Sequence, residues 1–173
     1  MESGTTVVVG AAHGIGAAIA HRVARELWTT RLVLAGISNA EMDSLASTLR
    51  SDRLQVDVLH VDLADECSIA ALVEKSNEAD RVLALETVPH GVRINLISPG
   101  PTESEMMRKL IADHPNMANL ADGNLESFRP PIPDAHVGQP DQVAAAAAFL
   151  LSPDSSHISF HDLYLDGGET LGI

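Results

Sequence analysis

Gly10, Gly14 and Gly16 lie in the run Gly10-Ala11-Ala12-His13-Gly14-Ile15-Gly16, which follows a β-branched stretch and precedes a helical pattern. In that context the spacing has a mechanism. Gly10 permits a tight turn, Gly14 lets the backbone come close to a ligand, and Gly16 lets a helix pack against a strand. The helix N-terminus then offers unpaired amides and the positive end of its dipole, which suits a pyrophosphate. A tight turn of small residues with no ligand fits the same run. Acid/base chemistry has weaker candidates. His114, Asp134 and His136, with Glu103 and Glu105, could gather at one end of a cleft and move protons, but a solvated acidic loop is the preferred reading of them. Eight histidines invite a metal. The pair His157 and His161 is separated by a non-helical stretch in which that spacing does not converge on one ion, so no metal site is expected. Met106, Met107 and Met117 could line an apolar pocket or fill core, and the lone Cys67 reads as a small buried hydrophobe.

The elements that must position these groups alternate between strand and helix. Thr5 to Val9 reads as a strand buried on both faces. Ile19, Ala20, Val23, Ala24 and Leu27 then mark one face of a helix from Gly16 to Trp28. Arg31 to Ala35 is a second strand, Asn39 caps a helix carrying Met42, Leu45, Ala46 and Leu49, and Leu54 to Val61 is a third strand. From Asp65 an apolar stripe through Ile69, Leu72, Val73, Ala79, Val82 and Leu83 fits one long crossover helix, with Ala79 to Leu85 as a strand the alternative. Val92 to Ile97 is a strand ended by Ser98-Pro99-Gly100-Pro101. A short helix falls after Met106, and Phe128 to Pro133 is a proline-rich lid or surface loop. Pro140 opens an alanine-rich helix to Leu151, and Asp162 to Leu165 is the last strand. Alternating β and α units imply an α/β fold with a parallel sheet and right-handed crossovers.

With 173 residues, 45% of them hydrophobic, one domain over 1-173 is expected. A net charge of -13 repels a polyanion, and 3% aromatic content leaves no stacking surface, so no nucleic-acid partner is expected. The first ten residues carry no cationic leader, and no apolar run is long enough to span a bilayer. A soluble cytoplasmic protein with no membrane contact is the expectation.

The glycine spacing resembles that of the short-chain dehydrogenase/reductase family. Val61-Asp62-Leu63, Leu83-Ala84-Leu85-Glu86, Pro89-His90-Gly91-Val92-Arg93-Ile94-Asn95, Ser98-Pro99-Gly100 and the end Tyr164-Leu165-Asp166-Gly167-Gly168 agree with it in order. The resemblance implies a Rossmann-like doubly wound sheet. It also implies NAD(P) as cofactor: the Gly10-His13-Gly14-Ile15-Gly16 loop on the pyrophosphate, Asp62 on the adenine amino group, Pro99 and Gly100 flanking the nicotinamide, and Ser104 in place of the family's usual Thr at the carboxamide. Val9 stands where the family commonly has a Thr supporting the loop. The second strand ends in Gly36-Ile37-Ser38-Asn39, with neither acid nor Arg. His13 and Ser38, as partners for a 2'-phosphate, lean the cofactor reading toward NADP.

The family's chemistry also implies a catalytic Tyr, Lys and Ser, and none has a counterpart here. Upstream of Leu83 the sequence reads Glu74-Lys75-Ser76-Asn77-Glu78-Ala79-Asp80, and the only Tyr is Tyr164. The loss centres near Arg81 and takes two strands and most of a helix. A fused crossover helix would leave a sheet reduced to about five strands, order 3-2-1-4-5. Three functions follow: a nucleotide-binding remnant without hydride-transfer residues; a repurposed isomerase, dehydratase or cyclase using loop histidines and carboxylates on an unknown small molecule; or an ordinary oxidoreductase whose catalytic segment is missing from this sequence. By resemblance, a homodimer would form through Pro140 to Leu151 and Asp162 to Leu165. Arg93 reads as one half of a structural ion pair.

Overall fold

The computed structural model describes residues 4–62, 64–65, 93–114, 120–123 and 130–170. β1 (Gly4–Val9), β2 (Thr29–Gly36) and β3 (Gln55–His60) form a parallel sheet with β2 in the middle. Its central place explains its composition: Leu32 to Gly36 are all buried, and a strand covered on both faces needs an unbroken apolar run. α1 (Gly14–Val23) and α2 (Asn39–Leu49) supply the crossovers. Val8, Ala20, Val23, Leu32, Leu34, Met42, Ala46, Leu54 and Val56 form the core, with Trp28 packed against its edge. Each large side chain among them contributes about 1.5–3 kcal/mol of burial. The Thr6 and Thr29 hydroxyls, both buried, satisfy each other at 3.0 Å.

α1 stops at Val23, a turn short of the expected Trp28, and Leu27 is 74% exposed rather than part of the buried stripe. The chain beyond Val23 is held from outside the helix. The Arg53 guanidinium donates to the carbonyls of Ala24, Glu26 and Thr29, taking up acceptors that a longer helix would have used internally. At α2 the N-cap is Ser38, one residue before the expected Asn39, and no side chain caps it.

β4 (Leu96–Pro99) and β5 (Asp162–Leu165) form a second parallel pair, connected through α3 (Glu105–Asp113), α4 (Pro140–Leu151) and a 3-10 turn at Pro153–Ser155. The sequence pattern puts β4 at Val92 to Ile97, yet the strand begins at Leu96 and retains Pro99. Leu96 N and Gly100 N both donate to the β5 side, to His161 O and Leu165 O. Since strand amides alternate, Ile97 and Pro99 face the other edge, where a missing N–H costs no ladder bond. Among the described residues Arg93 does not form the expected ion pair. Its guanidinium donates to Ser155 O and Oγ at 2.9 Å, to Ser152 O at 3.2 Å and to Ile158 O at 3.3 Å, tying the approach to β4 onto the turn after α4.

The α/β class, the order 3-2-1 in the first half and the pairing of strands four and five agree with the sequence reading. Among the described residues β1 and β4 share no ladder, so the strands stand as a set of three and a set of two. α1 and α4 pack together and hold the halves side by side. A cleft of about 440 Å³ lies between Val7, Val8, Val9 and Ile19 on one wall and Ile94, Asn95, Ile97, Leu150 and Leu151 on the other. The fused helix, its alternative strand at Ala79 to Leu85, and Cys67 lie outside the described residues. So do Phe128 and Arg129; the described end of that proline-rich stretch is anchored, with Ile132 buried and its N donating to Ala121 O at 2.9 Å. Among the described residues no helix is long and apolar enough to cross a membrane.

Candidate functional site

The glycine loop joins β1 to α1 at the carboxyl edge of the first sheet. Gly10 has φ +75° and Gly14 φ +56°, conformations that a side chain would strain. Gly16 is needed for closeness instead: a Cβ there would run into the Gly10 carbonyl. Ile15 is half-buried beside it. The α1 N-terminus opens directly from the loop. Its N-cap, His13, makes no side-chain capping bond, and no acidic residue occupies the first turn.

The rest of the expected cleft assembles along the same edge. Gly36, ending β2, lies so near the loop that a Cβ on it would stand 3.9 Å from Gly10 Cα, and Ser38 follows with its hydroxyl uncommitted to α2. Val61 N donates to Gly36 O at 2.8 Å, bringing exposed Asp62 to the end of β3, where its Oδ1 accepts from Ala64 N. Opposite the loop stands Ser104, whose Cβ is 4.0 Å from where a Gly14 side chain would begin. Ser104 also caps α3, its Oγ accepting from Met107 N at 3.1 Å, so its own O–H stays available as a donor. The strands and their exit loops converge where ligands bind in parallel α/β sheets. These residues are the donor set and the backbone cradle a dinucleotide requires, and the cradle fits one.

Charges rim this opening. Glu105 is held below the usual carboxylate range, chiefly by a hydrogen bond and charge from Lys109 at 2.7 Å, then by His13 and Arg108. Pro99 and Gly100 lie at the end of β4, but the glycine at 100 has a structural reason: a Cβ would come within 2.8 Å of Asp166 Cβ.

The acid/base candidates separate. Asp134 and His136 pair at 3.2 Å across Ala135, which takes φ +61°. They line a second cleft of about 530 Å³ with Gln142, Tyr164, Asp166 and Gly167. His114 is elsewhere, exposed at the C-cap of α3, and Glu103 is engaged by Gln139 and Arg108. The sequence gives no hint that Tyr164 and Gln142 belong to this cleft. Nothing local signals their meeting with Asp134, which depends on Asp134 N donating to Gly167 O across the chain. Among the described residues no three His, Cys, Asp or Glu side chains cluster as a metal site.

Comparisons with known proteins follow the same division. Residues 4–81 match the family profile described as short chain dehydrogenase, and residues 77–170 match that described as enoyl-(acyl carrier protein) reductase. The two meet beside Arg81, where the sequence places the loss. The chain is 39% identical over 93 residues to 2,3-dihydro-2,3-dihydroxybenzoate dehydrogenase of Bacillus subtilis, covering 54% of this chain and 36% of that protein. The matched stretch thus spans about a third of that relative's length. The uncharacterized oxidoreductase YxbG of the same organism aligns over 253 residues at 22% identity, covering 97% of this chain and 91% of that protein. Among solved structures, YwfH, an NADPH-dependent reductase involved in bacilysin biosynthesis, superposes with a TM-score of 0.80 at 17% identity, over 97% of this chain and 98% of its own. Profiles that together run from residue 4 to residue 170, on a glycine loop with this geometry, place the chain in the short-chain dehydrogenase/reductase family.

Proposed function

We propose that this chain is a single domain that binds NAD(P) along the carboxyl edge of β1, β2 and β3 and lacks the family's usual hydride-transfer residues. The observation that carries the reading is the uncapped α1 N-terminus behind Gly10 and Gly14, with Ser104 facing it across the cleft. In this reading the amides of His13, Gly14, Ile15 and Gly16 hold the pyrophosphate, and Asp62 accepts from the adenine amino group. Pro99 and Gly100 border the nicotinamide, whose carboxamide takes the Ser104 hydroxyl. His13 and Ser38 favour NADP, since an imidazole and a hydroxyl can donate to a 2'-phosphate and Gly36-Ile37-Ser38-Asn39 at the end of β2 holds no carboxylate to claim the ribose. The cofactor, when bound, would supply the hydride that the family's chemistry transfers. The chain's own part is to hold and orient it, because Tyr164, the single tyrosine, has Gly168 rather than Lys four residues on and lines the other cleft. Titration of the intact 18.3 kDa chain with NADPH and NADH by calorimetry is the test. Saturable binding with NADPH the tighter is expected, and no heat with either sinks the reading. A mass above 18.3 kDa would point instead to an ordinary oxidoreductase with its catalytic segment intact.

A second reading rests on the Asp134–His136 pair, which beside Tyr164 could serve non-redox acid/base chemistry on a small molecule. It requires that His136→Ala abolish turnover of whatever substrate is found; an unchanged rate removes it. Exposed Phe149 and Tyr164 on the C-terminal helix and strand support a homodimer through those elements. A cytoplasmic location completes the proposal.

A further inference from the structure

We propose that the cleft between α1 and α4 is a second anion site, which takes a small hydroxylated phosphate monoester. It shares no lining residue with the nucleotide site and does not rest on nucleotide binding. The cleft, of about 400 Å³, is lined by Ala18, His21, Arg22 and Arg25 from α1 and its exit and by Asp141 and Ala144 from α4. Ala18 and Ala144 are small enough to leave space between the helices, and no large apolar side chain lines it. A cleft of this size holds a small molecule, and these walls select a polar one.

The cations of this cleft are uncommitted in a chain where cations are scarce, 11 Lys and Arg against 24 Asp and Glu. Arg31 and Arg108 pair with carboxylates, and Arg50, Arg53 and Arg93 donate to backbone carbonyls. Among the described residues Arg25 alone of the arginines has no side-chain partner, and His21 has none either. Arg22 gives Nε to Glu26 at 3.0 Å and makes no second side-chain bond among the described residues. Complementing the helix dipole accounts for His21 and Arg22, in the last turn of α1, but not for Arg25, which lies beyond its end at Val23. The charges fix the ligand class. Two guanidiniums, each a planar fork of donors, match the oxygens of a phosphate monoester and its charge of about -1.5 to -2 near neutrality. Asp141, across the cleft, pairs with none of these cations among the described residues. It repels a second anionic group and accepts a hydrogen bond, so the far end of the ligand carries a hydroxyl. Ala144 lies about 140° round α4 from exposed Phe149, so the face proposed for the homodimer is not the one that borders the cleft.

The test titrates the intact chain by calorimetry, without nucleotide and at constant ionic strength, with glycerol 3-phosphate and separately with inorganic phosphate. Both should saturate, the ester the tighter. Arg25→Gln breaks no side-chain contact among the described residues, so it should leave urea denaturation unchanged. It should weaken both anions about tenfold or more, the loss of a hydrogen bond between charged groups. Asp141→Asn removes a repulsion and weakens an acceptor, so phosphate should bind more tightly and the ester should lose its advantage over it. Absence of saturation with either anion overturns the proposal. So does binding unchanged in Arg25→Gln, which would place the anion on the glycine loop, and so does an Asp141→Asn variant that keeps the parent's preference for the ester. Phosphate binding as tightly as the ester would assign the cleft to the free ion and overturn the monoester. NADPH should bind Arg25→Gln as it binds the parent; a loss there would make the cleft part of the nucleotide site and overturn its independence. Because the anions are titrated without nucleotide, their failure to bind leaves the cofactor reading standing.

Discussion

Replacing Gly16 with Ala tests the packing of the glycine loop by the sign of its effect. In a helix Ala ordinarily stabilises over Gly by about 0.5–1 kcal/mol, because Gly loses more chain entropy on folding. Gly16 lies in the first turn of α1 with a helical, not a left-handed, backbone, so that gain is open to it. Opposing it, the new methyl would meet the Gly10 carbonyl and lie 3.3 Å from Ala11 Cα. Over-packing of this kind costs about 1–3 kcal/mol. The upper end applies, since backbone atoms cannot rotate aside. The net expectation is a loss of about 2 kcal/mol, lowering Tm by about 4–8 °C at this chain length. Urea denaturation followed by circular dichroism measures it. Gly10→Ala is the comparison, because at φ +75° with nothing within 4 Å of a Cβ it reads backbone strain alone, about 1–2 kcal/mol. A Gly16→Ala variant as stable as the parent, or more so, would refute the close approach of α1 to the loop.

Arg93→Ala should cost about 3 kcal/mol in urea denaturation, because the carbonyls around fully buried Ser155 lose their donor; Arg93→Lys should recover less than half, one ammonium being unable to reach all four acceptors. Ser104→Ala removes the α3 cap at about 1 kcal/mol and, on the proposed function, weakens nucleotide binding as well, which calorimetry on the variant checks. Asp166 accepts from Thr170 Oγ1, Thr170 N and Gly168 N, and these bonds hold its carboxyl below the ordinary aspartate value. A depressed folded value means the carboxylate stabilises its loop above the unfolded value, and that support is lost as pH falls through the folded one. The amide shifts of Gly168 and Thr170 should therefore move together only below the ordinary aspartate range, and movement near neutrality would contradict the assignment.

What is legible in the sequence follows from short-range rules. β2 can be read because a parallel strand covered on both faces is a continuous apolar run, and the loop after β1 because a turn that must approach a helix closely is written in glycine. β5 falls at Asp162 to Leu165 as expected, and Pro140 marks the start of α4. The misplacements come from partners distant in sequence. Leu27 fits the helical period of α1, but Arg53, far along the chain, takes the carbonyls beyond Val23. Pro99 reads as a strand breaker until its missing N–H is known to fall on an edge with no ladder. Composition groups Asp134 and His136 with His114, whereas their neighbours are Gly167 and Tyr164, set by a backbone bond that no local pattern encodes. The division between β1 and β4 among the described residues is hidden too, since strand order follows from connectivity but a ladder requires that two edges actually meet.

The single tryptophan and the single tyrosine fall on opposite sides of that division. Trp28 packs against the core beneath β1, β2 and β3, and Tyr164 sits in β5, 58% exposed. The molecule thus carries one intrinsic fluorophore in each half, and energy transfer from tyrosine to tryptophan reports the distance across the cleft with no label added. If α1 against α4 couples the halves firmly, both signals should vanish in one transition on melting. If it couples them loosely, transfer is lost before Trp28 meets water, and the two halves behave as separate cooperative units.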